Sequence, residues 1–289
     1  MKPGFIGGFI GLGNIGKPIA VQLLKLGGRL TVCDVNPQAT LDLVQRGAEV
    51  AGTAAGVARN SEVIGICVRD DADVDALLYG DDGLLANAQP GTIIAIHSTV
   101  THGAILRWAA EGEVRGIRII DAPVTGGASG AEAGTLVYMV GGPKEAVDRC
   151  RPIFQTSGQK IIHAGAVGAG IALKLCNNMM TYAAFAAIHE AVALARASGL
   201  DPQMLVEVGR GNGVVTPQME AFLGNRQKLA ASGEEGLRKA FAPFAALAKK
   251  DLAAALRSAE ALDLALPTTR QVAASMDDTF MDRVAVLKH

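Results

Sequence analysis

The feature that most constrains this fold is a glycine pattern near the N-terminus, spaced G-x-G-x-x-G. It is carried by six consecutive residues: Gly11, Leu12, Gly13, Asn14, Ile15 and Gly16. An apolar, strand-like run, Phe5–Ile10, comes directly before it, and a stretch with apolar residues at helical spacing, residues 17–26, comes after it. In such a strand-to-helix turn the first glycine permits the tight bend, the second lets a phosphate approach the backbone, and the third lets the helix lie close to the sheet. The pattern predicts a site for the pyrophosphate of a dinucleotide, although a purely structural glycine turn has the same spacing.

An acidic residue, Asp34, stands at the end of the next strand-like run, about 20 residues beyond the glycines. At that offset a carboxylate can accept hydrogen bonds from both hydroxyls of an adenosine ribose. The carboxylate would also repel a 2′-phosphate, and residues 35–38 contain no Arg, so NAD is favoured over NADP as the cofactor. The alternative is that Asp34 caps a helix that starts near Pro37.

Length and charge restrict the class of protein. The chain has 289 residues, enough for two domains with a core each. Its formal net charge is −1 and 19% of its residues are charged, so we expect a small-molecule partner, with no nucleic acid and no membrane surface. No apolar run of about 20 residues lacks both glycine and charge, which argues against a membrane span. Four scattered cysteines lack metal-site spacing and predict reduced, buried thiols, a cytoplasmic location and no metal: Cys33, Cys67, Cys150 and Cys176.

The first half of the chain alternates short apolar runs with helical stretches, as parallel β-α-β units do. Predicted strands cover residues 5–10, 30–34, 63–68, 92–97, 118–122, 136–141 and 160–163. In an open parallel sheet, ligands bind beyond the carboxyl ends of the strands. One crevice is therefore expected to gather five strand ends: Gly11, Asp34, Val68, Ser98 and Ala122.

The pattern changes near residue 165, after which strand-like runs are absent from the sequence. Residues 169–198 form a long Ala-rich stretch without Pro, which predicts a helix long enough to bridge two domains. We therefore predict an α/β domain over residues 1–165, with a Rossmann-type, doubly wound, mainly parallel sheet. An all-α domain for substrate binding and oligomerisation follows over residues 166–289. Because apolar residues surround most of the long helix, we expect a homodimer or homotetramer.

Three polar residues lie on one face of the predicted long helix. Lys174, Asn177 and Asn178 stand at i, i+3 and i+4. Asn disfavours helix interiors and needs hydrogen-bond partners when it is buried. The set fits a proton-carrying lysine beside an amide that holds a substrate oxygen, or equally a solvated polar stripe with inter-helix hydrogen bonds. A lysine pair, Lys249 and Lys250, precedes Asp251 in a later helical stretch, and such a pair is usually exposed.

Two predicted strand ends carry further candidates. Thr125, Gly126 and Gly127 could bind a carboxylate through a hydroxyl and bare backbone N–H groups. They could equally form a glycine-rich turn between two strands. Ser98 and Thr99 end another strand, where they could contact cofactor and substrate or only cap the helix that follows.

Four segments of the chain, taken together, resemble the β-hydroxyacid dehydrogenase family. This family includes 3-hydroxyisobutyrate dehydrogenase, tartronate semialdehyde reductase and relatives of 6-phosphogluconate dehydrogenase. The segments occur in the family's order: FIGLGNIG at 9–16, DAPVTGG at 121–127, GAGIALKLCNN at 168–178 and KDL at 250–252. The resemblance covers nearly the whole chain, and four ordered matches are far more specific than any single one.

The resemblance implies roles for individual residues. Lys174 would be the catalytic acid/base, and Asn178 would orient the substrate. The substrate carboxylate would bind to Thr125, Gly126 and Gly127, with Ser98 and Asn177 as further substrate-binding candidates. Beside the glycine turn and Asp34, the cofactor would contact Val68, Arg69, Thr99 and Lys250.

This chain departs from the family pattern at several positions. Thr125 replaces the usual Ser and Asn14 the usual Met, and Val68 with Arg69 replaces Leu-Pro or Val-Pro. His97 stands where Asp is usual. Thr125 keeps the hydroxyl but adds a methyl group, so the departure concerns the identity of the acid more than carboxylate binding.

The resemblance implies an NAD-dependent oxidoreductase. It would transfer a hydride between nicotinamide and the carbinol carbon of a small 3-hydroxy acid, of the kind of 3-hydroxyisobutyrate. The alternatives are an imine reductase-like enzyme, whose relatives usually have Asp or Tyr at the position of Lys174, and a catalytically silent cofactor-binding scaffold.

Overall fold

The computed structural model describes residues 4–230 and 233–284. The chain divides into two compact units, Met1–Lys174 and Leu175–His289. This division lies inside a helix, whereas we placed the domain boundary between residues 165 and 166. That cofactor binding belongs to one domain and substrate binding to the other stays a prediction.

The described residues of the first unit form one sheet of nine strands with eight α-helices and two short 3₁₀ helices, Leu24–Leu26 and Pro37–Thr40. The strands are β1 (Phe5–Ile10), β2 (Gly28–Cys33), β3 (Glu49–Val50), β4 (Val63–Ile66), β5 (Ile93–Ile96), β6 (Arg118–Asp121), β7 (Val124–Thr125), β8 (Leu136–Gly141) and β9 (Gly158–Gly165). The helices are α1 (Gly16–Leu23), α2 (Leu41–Gln45), α3 (Ala54–Ala58), α4 (Asp71–Leu78), α5 (Leu84–Asn87), α6 (His102–Val114), α7 (Gly127–Ala133) and α8 (Lys144–Phe154). A long helix follows, and four more helices complete the described chain: α9 (Ala169–Ala197), α10 (Pro202–Gly211), α11 (Pro217–Ala230), α12 (Gly233–Glu260) and α13 (Pro267–Met281).

The sheet is mainly parallel. Its order is β3-β2-β1-β4-β5-β6-β8-β7, with β9 paired to β8. The six strands from β3 to β6 are parallel, β8 is antiparallel to β6 and β7, and β9 is parallel to β8. The chain adds strands outward from β1 to β3 and then returns to add β4 on the other side of β1, which creates a topological switch point. The predicted fold class, a doubly wound Rossmann-type sheet followed by helices, is confirmed.

Most predicted strands are present with small changes of boundary, and β1 and β8 have the predicted bounds. The sequence analysis missed β3 and β7, which are two residues long each. Two residues are too few to show the alternation of a strand. The central strands read as continuous apolar runs because both of their faces are covered, and Ile64 and Ile94 have no exposed surface.

The second unit packs around aromatic rings. The cluster consists of Tyr182, Phe185, Phe222, Phe241 and Phe280. Phe185 and Phe222 stack with their ring centroids 4.5 Å apart. A buried arginine, Arg226, lies beside Phe222 and pairs with Asp282 at 2.9 Å. Arg226 also donates to the Thr279 carbonyl at 2.8 Å. These bonds supply the partners that a buried guanidinium requires and fix the end of α13.

One helix in the described part of the chain, α9, is long and apolar enough to cross a membrane by length and composition alone. A single helix of this kind is weak evidence for a membrane span, because the core helix of a globular protein meets the same criteria.

Cys176, which lies on α9, is exposed. The expectation of a buried thiol is therefore wrong for this residue.

The imidazole of His97 is buried at the end of β5. Its Nδ1 donates to the Ala122 carbonyl at 2.9 Å. The ring stacks on Phe9 at a centroid distance of 5.8 Å and meets the edges of Tyr138 and Phe154. Burial lowers the pKa of His97 to about 4, although the bond to Ala122 acts in the opposite direction. His97 is therefore neutral in the folded protein well below the ordinary pKa of 6.5.

This depressed pKa predicts a loss of stability in acid. Between pH 6.5 and about 4 the unfolded chain binds a proton at His97 that the folded protein does not. The contribution of neutral His97 to the free energy of unfolding is fully present above pH 6.5. On acidification below that pH it falls by up to about 1.4 kcal/mol per pH unit. His97→Phe keeps an aromatic ring but cannot titrate, so its free energy of unfolding should fall less steeply over this range. Urea unfolding at a series of pH values measures both proteins, and parallel curves would contradict the prediction.

Candidate functional site

Two glycines of the N-terminal turn are required by the protein's own geometry. Gly11 has φ +91°, and a Cβ there would overlap the Cys67 carbonyl oxygen. A Cβ at Gly16 would overlap the Gly11 carbonyl oxygen. The Gly11 N–H also donates to the Cys33 carbonyl at 3.0 Å. The turn therefore packs β1 and α1 directly against the loop that leaves β4.

Gly13 is required by neither backbone nor packing. It is not among the glycines with positive φ, and a Cβ built there has no heavy atom of the described chain within 4 Å, its two neighbours aside. The first turn of α1 begins at Gly16, and Ile15 provides no side-chain cap for its N–H groups. Open space at the second glycine beside an uncapped helix N-terminus fits the pyrophosphate of a dinucleotide.

Asp34 is held against this turn. One of its carboxylate oxygens accepts a hydrogen bond from the Leu12 N–H at 2.6 Å, and the other accepts from the Asn36 N–H at 2.7 Å. The 3₁₀ helix Pro37–Thr40 is capped by Asn36, whose side chain accepts from the Gln38 N–H. Asp34 is therefore not the cap of that helix, and each of its oxygens keeps acceptor capacity for a ribose hydroxyl.

The loops after β4 and β5 are joined to each other. The Ser98 hydroxyl accepts a hydrogen bond from the Val68 N–H at 2.8 Å. Thr101 donates its backbone N–H at 3.0 Å and its hydroxyl at 2.5 Å to the Asp71 carboxylate. Ser98 is buried and Thr99 is half-buried. Ser98 therefore links the residues that follow β4 and β5 by a hydrogen bond. Its contact with a substrate stays a prediction.

Arg69, in the loop after β4, pairs with a carboxylate of α4. Its guanidinium donates to both oxygens of Asp73, at 2.7 Å each. Hydrogen bonding from Arg69 lowers the pKa of Asp73. Most of the Arg69 side chain is exposed.

Thr125, Gly126 and Gly127 form the junction between β7 and α7. The alternative of a turn between two strands is therefore wrong, because the glycines lead into a helix. Gly126 has φ +125° and Gly127 has φ +67°, a backbone that favours glycine. Thr125 is half-buried and both glycines are exposed. No heavy atom of the described residues lies within 4 Å of a Cβ built at Gly127, apart from its chain neighbours.

The amide of Asn178 is bound within the second unit. Its Nδ2 donates to Asp251 Oδ2 at 2.8 Å, and its Oδ1 accepts from Asn177 Nδ2 at 3.3 Å. Asn178 is 6% exposed, whereas Lys174 and Asn177 are half-buried. The bond from Asn178 on α9 to Asp251 on α12 is an inter-helix hydrogen bond, which the polar-stripe alternative also expects, so the substrate role of these residues stays a prediction. The Asn178 side chain is oriented by a buried carboxylate.

That carboxylate, Asp251, is a residue to which sequence analysis gave no role. It is 2% exposed and also accepts from the Tyr182 hydroxyl at 3.3 Å. The Nζ of Lys250 lies 3.3 Å from its Oδ1, an ion-pair distance without hydrogen-bond geometry. Burial, followed by the charge of Asp251, raises the pKa of Tyr182. A lysine pair before an Asp is usually exposed, but Lys249 and Lys250 are both half-buried. The i, i+4 spacing of Asn178 and Tyr182 was the signal for a shared partner.

Two family models match the chain. One is described as the NAD binding domain of 6-phosphogluconate dehydrogenase and matches residues 7–194. The other is described as NAD-binding of NADP-dependent 3-hydroxyisobutyrate dehydrogenase and matches residues 168–282.

Individual proteins are similar over most of the chain. The 3-hydroxyisobutyrate dehydrogenase of Pseudomonas aeruginosa is 42% identical over 69% of this chain and 67% of its own length. The 2-hydroxy-3-oxopropionate reductase of Escherichia coli is 34% identical over 91% of this chain and 87% of its own. The solved structure of Mycobacterium tuberculosis 3-hydroxyisobutyrate dehydrogenase with L-serine has a TM-score of 0.78 at 29% identity, covering 95% of this chain and 93% of that one.

The chain belongs to the β-hydroxyacid dehydrogenase family. It is a nicotinamide-dependent oxidoreductase that acts on the CH–OH group of hydroxy acids. The glycine turn and the Asp34 carboxylate fit the phosphates and the ribose of such a cofactor.

The open space at Gly13 gives a direct test of cofactor fit. Gly13→Ala should leave the free energy of unfolding within about 0.5 kcal/mol, because the new Cβ meets no other part of the described chain. The dissociation constant for NAD or NADP should rise about tenfold or more, roughly 1.4 kcal/mol per factor of ten, because the methyl group occupies the path of the phosphates. Gly52→Ala, at another open glycine outside the turn, is the control. Unchanged cofactor affinity in Gly13→Ala would exclude this position for the pyrophosphate.

Proposed function

We propose that this protein transfers a hydride between NAD and the carbinol carbon of a small 3-hydroxy acid such as 3-hydroxyisobutyrate. The observation that carries the proposal is Lys174, a half-buried lysine near the start of α9, the helix that also carries Asn178. When bound, the nicotinamide supplies the hydride acceptor or donor. The names of the relatives in P. aeruginosa and M. tuberculosis support this substrate class.

The chain's own residues would transfer the proton, bind the carboxylate and orient the substrate oxygen. In oxidation, the Lys174 amine takes the hydroxyl proton as the carbon loses its hydride, which leaves a carbonyl group and a charged ammonium. In reduction the ammonium returns that proton. Thr125, Gly126 and Gly127 bind the carboxylate and align the carbinol carbon, and Asn178 orients the oxygen.

The choice of NAD is supported by Asp34. Both of its oxygens are fixed by backbone N–H groups, so the carboxylate cannot easily turn away from a 2′-phosphate. Asp34→Ser should reduce the preference for NAD over NADP by roughly 1–3 kcal/mol, the value of a hydrogen bond to a charged group. The measurement is kcat/KM for both cofactors with one hydroxy acid. If kcat/KM of the unmodified protein is as high with NADP as with NAD, Asp34 does not select the cofactor.

Carboxylate binding at the β7–α7 junction can be tested at Thr125. Gly127 is a poor target, because its positive φ means that any side chain adds strain. Thr125→Val keeps the shape and removes the hydroxyl, and should raise KM for the hydroxy acid about tenfold, as the loss of a hydrogen bond to a charged group predicts. The dissociation constant of NAD should stay within about twofold. Thr135→Val, at an exposed threonine in the same region, is the control. If KM for the hydroxy acid and the dissociation constant of NAD rise by the same factor, the junction has a structural role and does not bind the carboxylate.

The role of Lys174 predicts a defect confined to chemistry. Lys174→Met preserves length and helix propensity but cannot carry a proton, so single-turnover hydride transfer should slow on the order of 10²–10⁴-fold while NAD still binds. Lys174→Arg should not restore the rate, because a guanidinium does not release its proton at working pH. Lys228→Met, at an exposed lysine of α11, is the control. A loss under tenfold in Lys174→Met would assign the proton to another group, with Lys250 the first to test.

A further inference from the structure

Asp121, the last residue of β6, is fully buried and binds the start of α9. Its Oδ1 accepts from the Gly168 N–H at 2.8 Å, and its Oδ2 accepts from the Ile171 N–H at 2.7 Å. Gly168 immediately precedes the helix, and Ile171 lies in its first turn. A carboxylate from a distant strand therefore satisfies backbone donors that a helix N-terminus leaves without partners.

The surrounding chain leaves room for this carboxylate and for little else. A Cβ built at Gly141 would lie 2.7 Å from Asp121 Oδ2, and one built at Gly170 would lie 2.8 Å from it, both closer than real side chains come. Within residues 4–230 and 233–284 no ion pair to Asp121 is found. Burial raises the pKa of Asp121, while the hydrogen bonds from Gly168 and Ile171 act in the opposite direction. The charge is stabilised by backbone N–H groups and by the positive end of the helix dipole.

Asp121 connects two segments that the proposed function assigns to the substrate. Lys174 follows Ile171 by three residues, about 4.5 Å along the helix axis. In the other direction the chain runs from Asp121 to Thr125, and this run is anchored by the Ala122 N–H, which donates to the Ile96 carbonyl at 2.8 Å. A shift of the first turn of α9 on the end of β6 would therefore move Lys174 relative to Thr125.

We propose that Asp121 is a positioning residue, which fixes the first turn of α9 on β6 and thereby sets Lys174 relative to the carboxylate-binding junction at Thr125. This inference rests on the proposed function. Asp121 touches no reacting atom and acts only through Lys174. A misplacement of about 1 Å can slow an enzymatic step by roughly 10²-fold, so the weakening of two hydrogen bonds here should appear in the rate of the chemical step.

The first test is Asp121→Asn, which has nearly the same shape but replaces one accepting oxygen with an NH₂ group. Single-turnover hydride transfer should slow roughly 10–100-fold, while the NAD dissociation constant stays within about twofold. Amide hydrogen exchange at Gly168 and Ile171 should become faster in the protein without cofactor. Asp201→Asn is the matched control, because Asp201 caps α10 by accepting from the Gln203 N–H at 2.9 Å. Asp201→Asn should change neither the rate of hydride transfer nor the rate of amide exchange at Gly168 and Ile171.

The decisive test is the same substitution in a Lys174→Met background. If Asp121 acts through Lys174, Asp121→Asn should slow the Lys174→Met enzyme less than about twofold, because no lysine is left to position. Equal slowing in both backgrounds, or an unchanged rate in the wild-type background, overturns the positioning role. Should Asp121→Asn fail to fold, Asp121→Ser, with a shorter neutral acceptor, takes its place in both measurements.

The failure of this inference can be distinguished from failure of the proposed function. A Lys174→Met enzyme that loses less than tenfold in hydride transfer overturns both, since no proton carrier then exists for Asp121 to position. A large loss in Lys174→Met together with a wild-type rate in Asp121→Asn overturns only the positioning role. A large loss in each variant alone, without further loss in the double variant, supports both.

Discussion

The close approach of the chain to itself at Gly11 and Gly16 is the constraint on which the first unit depends. A side chain at either position would overlap a carbonyl oxygen, at Cys67 in one case and at Gly11 in the other. Because β1 and β4 flank the topological switch point, this contact fixes where the N-terminus of α1 stands at the edge where the parallel strands end. The Asp34 carboxylate is then tied to the same turn through the Leu12 N–H. The same turn contains Gly13, where a Cβ would meet no other part of the described chain.

The sequence predicts the parts of the fold that repeat. Parallel strands buried on both faces read as unbroken apolar runs, so the bounds of β1 and β8 agree with the structure. The two-residue strands β3 and β7 have too few residues for any periodicity and could not be found. The compact units divide at residue 174, within α9, and local composition could not indicate this position because the helix continues unchanged through it.

The candidate site is predicted only as far as its residues lie close together in sequence. The glycine turn, Lys174 and Thr125 with its two glycines are found from motifs and resemblance. The bond between Asn178 and Asp251 joins residues 73 positions apart, and the bonds from Asp121 to the start of α9 span 47 and 50 positions. The spacing of Asn178 and Tyr182 indicates a shared partner but does not identify Asp251, and the pairing of Asp121 with the start of α9 has no local signal in the sequence. Both depend on how strands and helices pack, and both place a buried carboxylate where it accepts from donors that would otherwise be unsatisfied.

Two buried carboxylates bind α9 close to Lys174 in sequence. Asp121 binds the helix at residues 168 and 171 within the first unit, and Asp251 binds it at residue 178 within the second. A lysine side chain has four rotatable carbons and loses much conformational entropy when it is ordered. A backbone that could also slide or fray would increase that cost. Because each carboxylate is itself buried, moving the segment would break its hydrogen bonds to Gly168, Ile171 or Asn178, and a buried acceptor that loses a donor costs free energy.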